Sequence, residues 1–174
     1  MKRDNTATRY FSDRQEKRIA GALGWDVVSG SGNQDFHPGD LIGPNWLGEC
    51  KTHVTSGQKI KFDLKVWNKI CEEAESKFRY PVLIVDDGTQ LPSHAWVMYP
   101  IDAADHRDME ELPWTKIVKT NVIFDGTKQL EDYREVRTAL RIGDKYAVYR
   151  VPFNRSSVGV CPFETFCAMF GEYR

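Results

Sequence analysis

The stretch Pro38-Gly39-Asp40-Leu41-Ile42-Gly43-Pro44-Asn45-Trp46-Leu47-Gly48-Glu49-Cys50-Lys51 constrains the fold more than any other, because it reads as a β-hairpin that forces charges together. With Pro44-Asn45 as a two-residue turn, Gly43 pairs with Trp46, Ile42 with Leu47, Leu41 with Gly48, and Asp40 with Glu49. Directly opposed residues share a face, with Cβ atoms about 4.5–5.5 Å apart. Lys51 follows Glu49 by two positions and projects from that same face. Two carboxylates this close repel unless a cation lies between them. The pattern therefore predicts a divalent metal site with an ammonium beside it, which is equipment for cleaving phosphodiesters. Pro44 cannot take the positive φ of a type I′ turn, so a longer type I turn, with the pairing slipped by one, is the competing register.

A chain of 174 residues with 41% hydrophobic side chains can bury a real core, and its length predicts one domain or one domain with a small appended lobe. No run approaches the roughly 18–20 apolar residues of a membrane span. Met1-Lys2-Arg3-Asp4-Asn5 leads into polar residues and not into an apolar signal segment. Cys50, Cys71, Cys161 and Cys167 show neither a CxxC pair nor metal-finger spacing. Free thiols in a reducing, cytoplasmic setting are the expectation. The net charge of −1 does not advertise a nucleic-acid binder. Across residues 51–71, however, Lys51, Lys59, Lys61, Lys65 and Lys69 are opposed only by Asp63, and such a strip can bind phosphates on a protein of neutral total charge.

Ser12-Asp13-Arg14-Gln15 fits a capping box, which predicts a helix from Ser12 to about Leu23 with Gly24 just past its end. Ile19, Ala20 and Leu23 form its apolar stripe, and Glu16 lies on the same side. Periodicity leaves two readings of Glu16 open: an inward carboxylate that needs a partner, or an acid at the stripe's edge paired with an arginine. Trp25–Val28 reads as a strand, followed by a connecting loop over Ser29–Gln34 and then by the hairpin. A second helix is expected from about Lys59 to Phe78, with Leu64, Trp67, Cys71, Ala74 and Phe78 as its core stripe and Lys61, Lys65 and Lys69 in a row along another side. Pro81–Asp86 and Ala95–Tyr99 read as strands. Beyond Pro100, Asp102–Leu112 reads as an acidic loop or short helix and Lys116–Phe124 as a strand. Val136–Ile142 and Lys145–Val151 read as a hairpin about Gly143-Asp144, and a last helix starts near Pro162 with Phe163, Phe166, Cys167 and Phe170 inward.

The tripeptide Asp/Glu-x-Lys occurs at Glu49–Lys51, Asp63–Lys65 and Glu75–Lys77. The latter two fall in the lysine-flanked helix, where acid–base pairs are ordinary surface features. The first alone lies in a strand with an acid across from it. In these features the chain resembles the PD-(D/E)XK nuclease superfamily, and within it the Holliday junction resolvases of archaeal and phage type. The resemblance covers about residues 10–99. It rests on a helix carrying Glu16, Asp40 opening the second strand, Glu49-Cys50-Lys51 in the third, and a following helix packed on the sheet.

That resemblance implies an α/β fold with an αβββαβ core over residues 1–100, its mixed central sheet flanked by helices, and a β-rich C-terminal extension over residues 101–174. It implies Mg²⁺, with Mn²⁺ as a substitute, held by Asp40, Glu49 and the Cys50 carbonyl and completed by Glu16 directly or through water. Lys51 then orients or activates a water and stabilises charge. Pro38-Gly39-Asp40 departs from a strict Pro-Asp pair and leaves Asp35 as a competing ligand; Asp40 is preferred because Asp35 precedes the strand. Ser31, Asn33 and Gln34 in the connecting loop, with His53, Lys59, Lys61 and Lys65, are the candidate DNA contacts, although a plain connector and a solvated lysine face explain the same residues. The expected activity is a Mg²⁺-dependent endonuclease that resolves four-way DNA junctions as a homodimer, since two symmetric cuts call for two sites. Another nuclease of this fold, or a non-catalytic DNA-binding module that retains it, are the rivals.

Overall fold

The structure is a computed structural model and describes residues 5–29, 39–104, 110–112, 120–124, 126, 128–132, 138–142 and 146–171. The chain is mixed α/β. Among the described residues it forms three α-helices, a nine-stranded mixed sheet and a three-stranded sheet.

Helix α1 spans Asn5–Leu23 and closes at Gly24, whose φ of +71° is the left-handed conformation expected just past a helix end. Its start differs from expectation. Ser12 is inside the helix and not its cap, since α1 begins seven residues earlier at Asn5, and Gln15 turns into the protein, donating to the Lys51 carbonyl and to Asp86. Ile19, Ala20 and Leu23 are buried as the periodicity predicts.

Strands β1 (Asp26–Val27), β2 (Leu41–Ile42) and β3 (Trp46–Lys51) form an antiparallel meander. The pairs Leu41↔Gly48 and Ile42↔Leu47 follow the predicted register without a slip. The turn closes through a bond from the Gly43 amide to the Trp46 carbonyl at 3.1 Å. The Arg79 guanidinium clips it from outside by donating to the carbonyls of Gly43 and Pro44.

The predicted helix Lys59–Phe78 is a strand followed by a shorter helix. Strand β4 is Ile60–Lys61, and α2 is Leu64–Ser76. Ile60, Lys61 and Phe62 alternate buried, exposed, buried, which is a strand period. Asp63 stops the strand and caps the helix, its Oδ1 accepting from the Lys65 amide at 2.8 Å. Two corrections follow. Lys61 stands on β4, so Lys61, Lys65 and Lys69 are not one helical row. Phe78 is 98% exposed at φ +55° and leaves the predicted core stripe; Ile70 joins Trp67 and Ala74 as a buried residue of that helix.

Strand β5 (Tyr80–Val85) lies parallel to β3, with α2 in the crossover, and pairs Glu49 with Leu83 and Lys51 with Val85. Strand β6 (Trp96–Pro100) returns antiparallel to it after a 3-10 turn at Pro92–His94. Residues 101–103 form another 3-10 turn, and β7 (Glu110–Leu112) replaces the end of the predicted acidic loop with a strand. Strands β8 (Val122–Phe124) and β9 (Lys128–Gln129) join β4 in the small sheet. The predicted hairpin is present as β10 (Thr138–Ile142) and β11 (Tyr146–Phe153), with its turn outside the described residues. Strand β12 (Ser156–Pro162), which the sequence reading missed, lies between β6 and β11. Helix α3 (Phe163–Phe170) follows Pro162 as expected, burying Phe163 and Phe166.

The large sheet therefore runs β1-β2-β3-β5-β6-β12-β11-β10-β7. One core unites Ile19, Leu23, Leu41, Cys50, Val82, Ile84, Tyr99 and Phe166, placing α1 and α3 on one face. The other unites Leu47, Trp67, Ile70, Leu83, Met98, Val122 and Phe124, placing α2 and the small sheet on the opposite face. Among the described residues, no helix is long and apolar enough to cross a membrane. All four cysteines are free, Cys50 and Cys161 buried and the other two partly so.

Candidate active site

Gly39 sets up the first acid. Its φ of +73° is a conformation that L side chains rarely adopt, and an added Cβ would meet the Leu47 side chain at 2.9 Å. The chain thus enters β2 through a kink that delivers Asp40 next to the end of β3. The Asp40 amide donates to the Gly48 carbonyl at 2.7 Å, and its carboxylate accepts from the Cys50 amide at 2.9 Å. The second bond has a simple cause. The β2 ladder begins at Leu41, so the Cys50 amide has no backbone partner on that side, and Asp40 Oδ2 satisfies it. Asp40 thus bonds to the β3 backbone on both sides of Glu49, at Gly48 and at Cys50.

Alternation along β3 does the rest. Trp46 and Cys50 enter the core under α1, while Leu47 enters the core under α2. Glu49 and Lys51 share the parity of Leu47. Glu49 is 9% exposed, and the Lys51 side chain is 48% exposed with its Nζ 2.5 Å from Glu49 Oε1. Burial alone lowers the Lys51 pKa, but the charge and hydrogen bond of Glu49, with Asp40 adding to them, outweigh it and raise the value. Lys51 is therefore a held ammonium.

Glu16 arrives on α1 from the other side of the sheet. It is 8% exposed, which favours the inward reading over an acid at the edge of the stripe. Burial first, then the charges of Asp40, Asp13 and Glu49, push its carboxyl from 4.5 up to about 7, with Lys51 pulling weakly the other way. Asp40 is likewise 9% exposed. The sign of the stability effect follows directly. Between about 4.5 and about 7 the folded protein holds a proton that the unfolded chain has released, so raising the pH through this window removes stability. Metal-free protein is expected to lose melting temperature from about pH 4.5 to about pH 7, and Glu16→Gln to lose less. Thermal melts followed by circular dichroism across that range check this; parallel curves for the two proteins count against it.

The Cys50 thiol points into the core, and burial pushes its pKa well up, so only its backbone is available to the site. His53 is partly exposed just beyond β3; Lys59, Lys61 and Lys65 are exposed, on the approach to β4, on β4 and in the first turn of α2. Ser31, Asn33, Gln34 and the competing ligand Asp35 lie outside the described residues. The two other Asp/Glu-x-Lys tripeptides have structural places: Asp63 caps α2, and Glu75 and Lys77 sit exposed at its end.

Sequence reasoning missed Gln15 and Asp86, each 1% exposed. The available signals were a glutamine one residue before Glu16 on the same helix, and an aspartate closing the apolar run Pro81–Val85.

Among the described residues, no three His, Cys, Asp or Glu side chains stand close enough to hold a metal ion by themselves. Mg²⁺ does not require three. It binds through one or two carboxylates and keeps several waters and substrate oxygens. Asp40 and Glu49 are two such carboxylates, and the Glu16 carboxyl is raised first by its own burial and then by the charges of Asp40, Asp13 and Glu49. Asp40 and Glu49 are the residues that would hold a hydrated Mg²⁺ or Mn²⁺. The chain matches no protein-family model, no curated protein and no solved structure.

Proposed function

We propose that this chain is a Mg²⁺-dependent DNA endonuclease of the PD-(D/E)XK type, acting on branched DNA as a four-way junction resolvase. The observation that carries the reading is the meeting of Asp40, Glu49 and Lys51 at one end of β3, with Glu16 coupled to them from α1. The connection supports it as well: a meander into β3, then a helical crossover to a parallel β5, is the arrangement the αβββαβ core calls for. The added β4 belongs to the separate small sheet.

In this reading Asp40, Glu49 and the Cys50 carbonyl hold the ion, and Glu16 completes the site. The ion supplies charge neutralisation at the scissile phosphate and lowers the pKa of water. Lys51, fixed by Glu49, lies beside that phosphate, orients the attacking water and stabilises the developing charge. The partly exposed Lys51 side chain gives substrate its approach, while Glu16 and Glu49 stay shielded. Lys59, Lys61, Lys65 and His53 offer phosphate contacts on the side of α2 and the small sheet.

A cleavage panel in Mg²⁺ tests the reading, comparing a four-way junction, linear duplex, flap and single strand at equal concentrations. The expected result is paired symmetric nicks in the junction, binding tighter than to duplex of the same sequence, and dimeric mass in solution. A monomer that cuts duplex as fast as junction transfers the proposal to a general nuclease of the same fold. Tight DNA binding without cleavage in Mg²⁺ or Mn²⁺ favours a non-catalytic binding module.

A further inference from the structure

Gln15 is 1% exposed, and its Nε2 donates to two acceptors, the Lys51 carbonyl at 2.9 Å and Asp86 Oδ2 at 2.8 Å. Turning the amide over would set Oε1 against both acceptors, so the partners fix its orientation. Asp86 is held in turn on its other oxygen, Oδ1, by the Thr52 hydroxyl at 2.6 Å and the Gly88 amide at 2.7 Å. The Asp86 amide also donates to the Lys51 carbonyl, at 3.1 Å. The main chain at Lys51 is thus gripped by two donors, one from α1 and one from the end of β5.

Docking of α1 does not require this grip. The helix is already seated by Ile19, Ala20 and Leu23, and it is tied to the following loop by Arg18 donating to the Gln90 carbonyl and by Gln90 donating to the Phe11 carbonyl. The Gln15 arrangement even carries a cost, since its Oε1 is buried with no hydrogen-bond partner. What it adds is geometry. Gln15 immediately precedes Glu16 on α1, and its acceptor belongs to Lys51, so one side chain joins the backbone of the helical acid to the backbone of the strand lysine.

We infer that Gln15, with Asp86 as its anchor, is a positioning residue that sets Glu16 and Lys51 in register for ion binding and catalysis. This inference rests on the endonuclease reading. Partners that orient ligating groups without touching the ion characteristically change metal affinity or activity by about 10- to 100-fold when removed. A purely structural tether would change only the folded fraction.

Mn²⁺ binding by the full chain, followed by isothermal titration calorimetry without DNA, separates these roles. Two unlike variants break the same bond. Gln15→Met removes the donor at similar volume. Asp86→Asn keeps an oxygen for the two donors Thr52 and Gly88 and sets its amide group against Gln15 Nε2, which removes the anchor of the glutamine and keeps the test available if one variant fails to fold. Arg18→Met, which releases the neighbouring tether, is the control. In folded Gln15→Met or Asp86→Asn, Mn²⁺ affinity is expected to fall about 10- to 100-fold, with kcat for cleavage reduced and KM for DNA unchanged. Arg18→Met is expected to lower melting temperature and leave Mn²⁺ affinity as in wild type. Wild-type affinity in the two folded variants, or equal losses in Arg18→Met, overturns the positioning role. A wild type that takes up no Mn²⁺ instead overturns the endonuclease reading, and this inference falls with it.

Discussion

Lys51→Ala is expected to cut turnover by on the order of 10²–10⁴, the span typical of a positioned proton-transfer group, while folding and DNA affinity change little. The expectation comes from where the side chain is held. Lys51 is the last residue of β3, its Nζ sits on Glu49, and about half of the side chain faces solvent. Truncation therefore opens no cavity and leaves the Glu49 carboxylate in place. Lys65→Ala and Lys77→Ala serve as controls from the other Asp/Glu-x-Lys tripeptides. Asp63 caps α2 through the Lys65 backbone amide, which alanine retains, and Lys77 is exposed at the helix end. Both variants are expected to keep most turnover. Single-turnover cleavage with saturating Mg²⁺ measures all three, and equal losses at Lys51 and Lys77 would assign the chemistry to the wrong tripeptide.

Asp40→Asn and Glu49→Gln are expected to abolish cleavage altogether, because each removes a carboxylate from the proposed two-carboxylate ion site. Their effects on the metal-free protein pull in opposite directions. Either change removes one of the charges that add to burial in pushing Glu16 up, which favours a higher melting temperature. Each also weakens a bond: the Cys50 amide loses a charged acceptor in Asp40→Asn, and Lys51 loses its counter-charge in Glu49→Gln. The diagnostic is therefore the response to the ion and not the absolute melting temperature. Wild type is expected to rise in melting temperature with Mg²⁺ or Mn²⁺, since a ligand that binds only the folded state stabilises it, and both variants to rise far less. A wild type indifferent to both ions in melting and in cleavage would sink the metal-site reading.

The parts of this fold that sequence alone made legible are those set by short-range rules. Period-two alternation placed Glu49 and Lys51 on one face, and the hairpin gave the Leu41↔Gly48 register despite the awkward Pro44. Gly24 marked the end of α1, and Phe163 and Phe166 marked the inward face of α3. The errors came where local signals compete with long-range ones. Ser12 and Gln15 mimic a capping box, yet Gln15 is claimed by Lys51 and Asp86, far away in sequence. Lys61 continues the helical spacing of Lys65 and Lys69, but Ile60 and Lys61 pair as a strand with Val122 and Ile123, partners that no local window contains. The burial of Glu16 was undecided because periodicity gives the face of a helix and not what covers it. Gln15 and Asp86 were invisible as a pair for the same reason.

The position of β12 has a consequence for how the chain is made. This strand is among the last described residues in sequence, yet it fills the slot between β6 and β11, near the middle of the large sheet. Until it arrives during synthesis, β6 presents an unpaired edge whose Val97, Met98 and Tyr99 are among the fully buried residues of the finished protein. An apolar edge of that kind is a template for pairing with another chain. A nascent or truncated polypeptide ending near Pro100 carries the acids and the lysine of the site but exposes this edge. Residues that protect the protein from its own aggregation are thus translated well after the strand they cover.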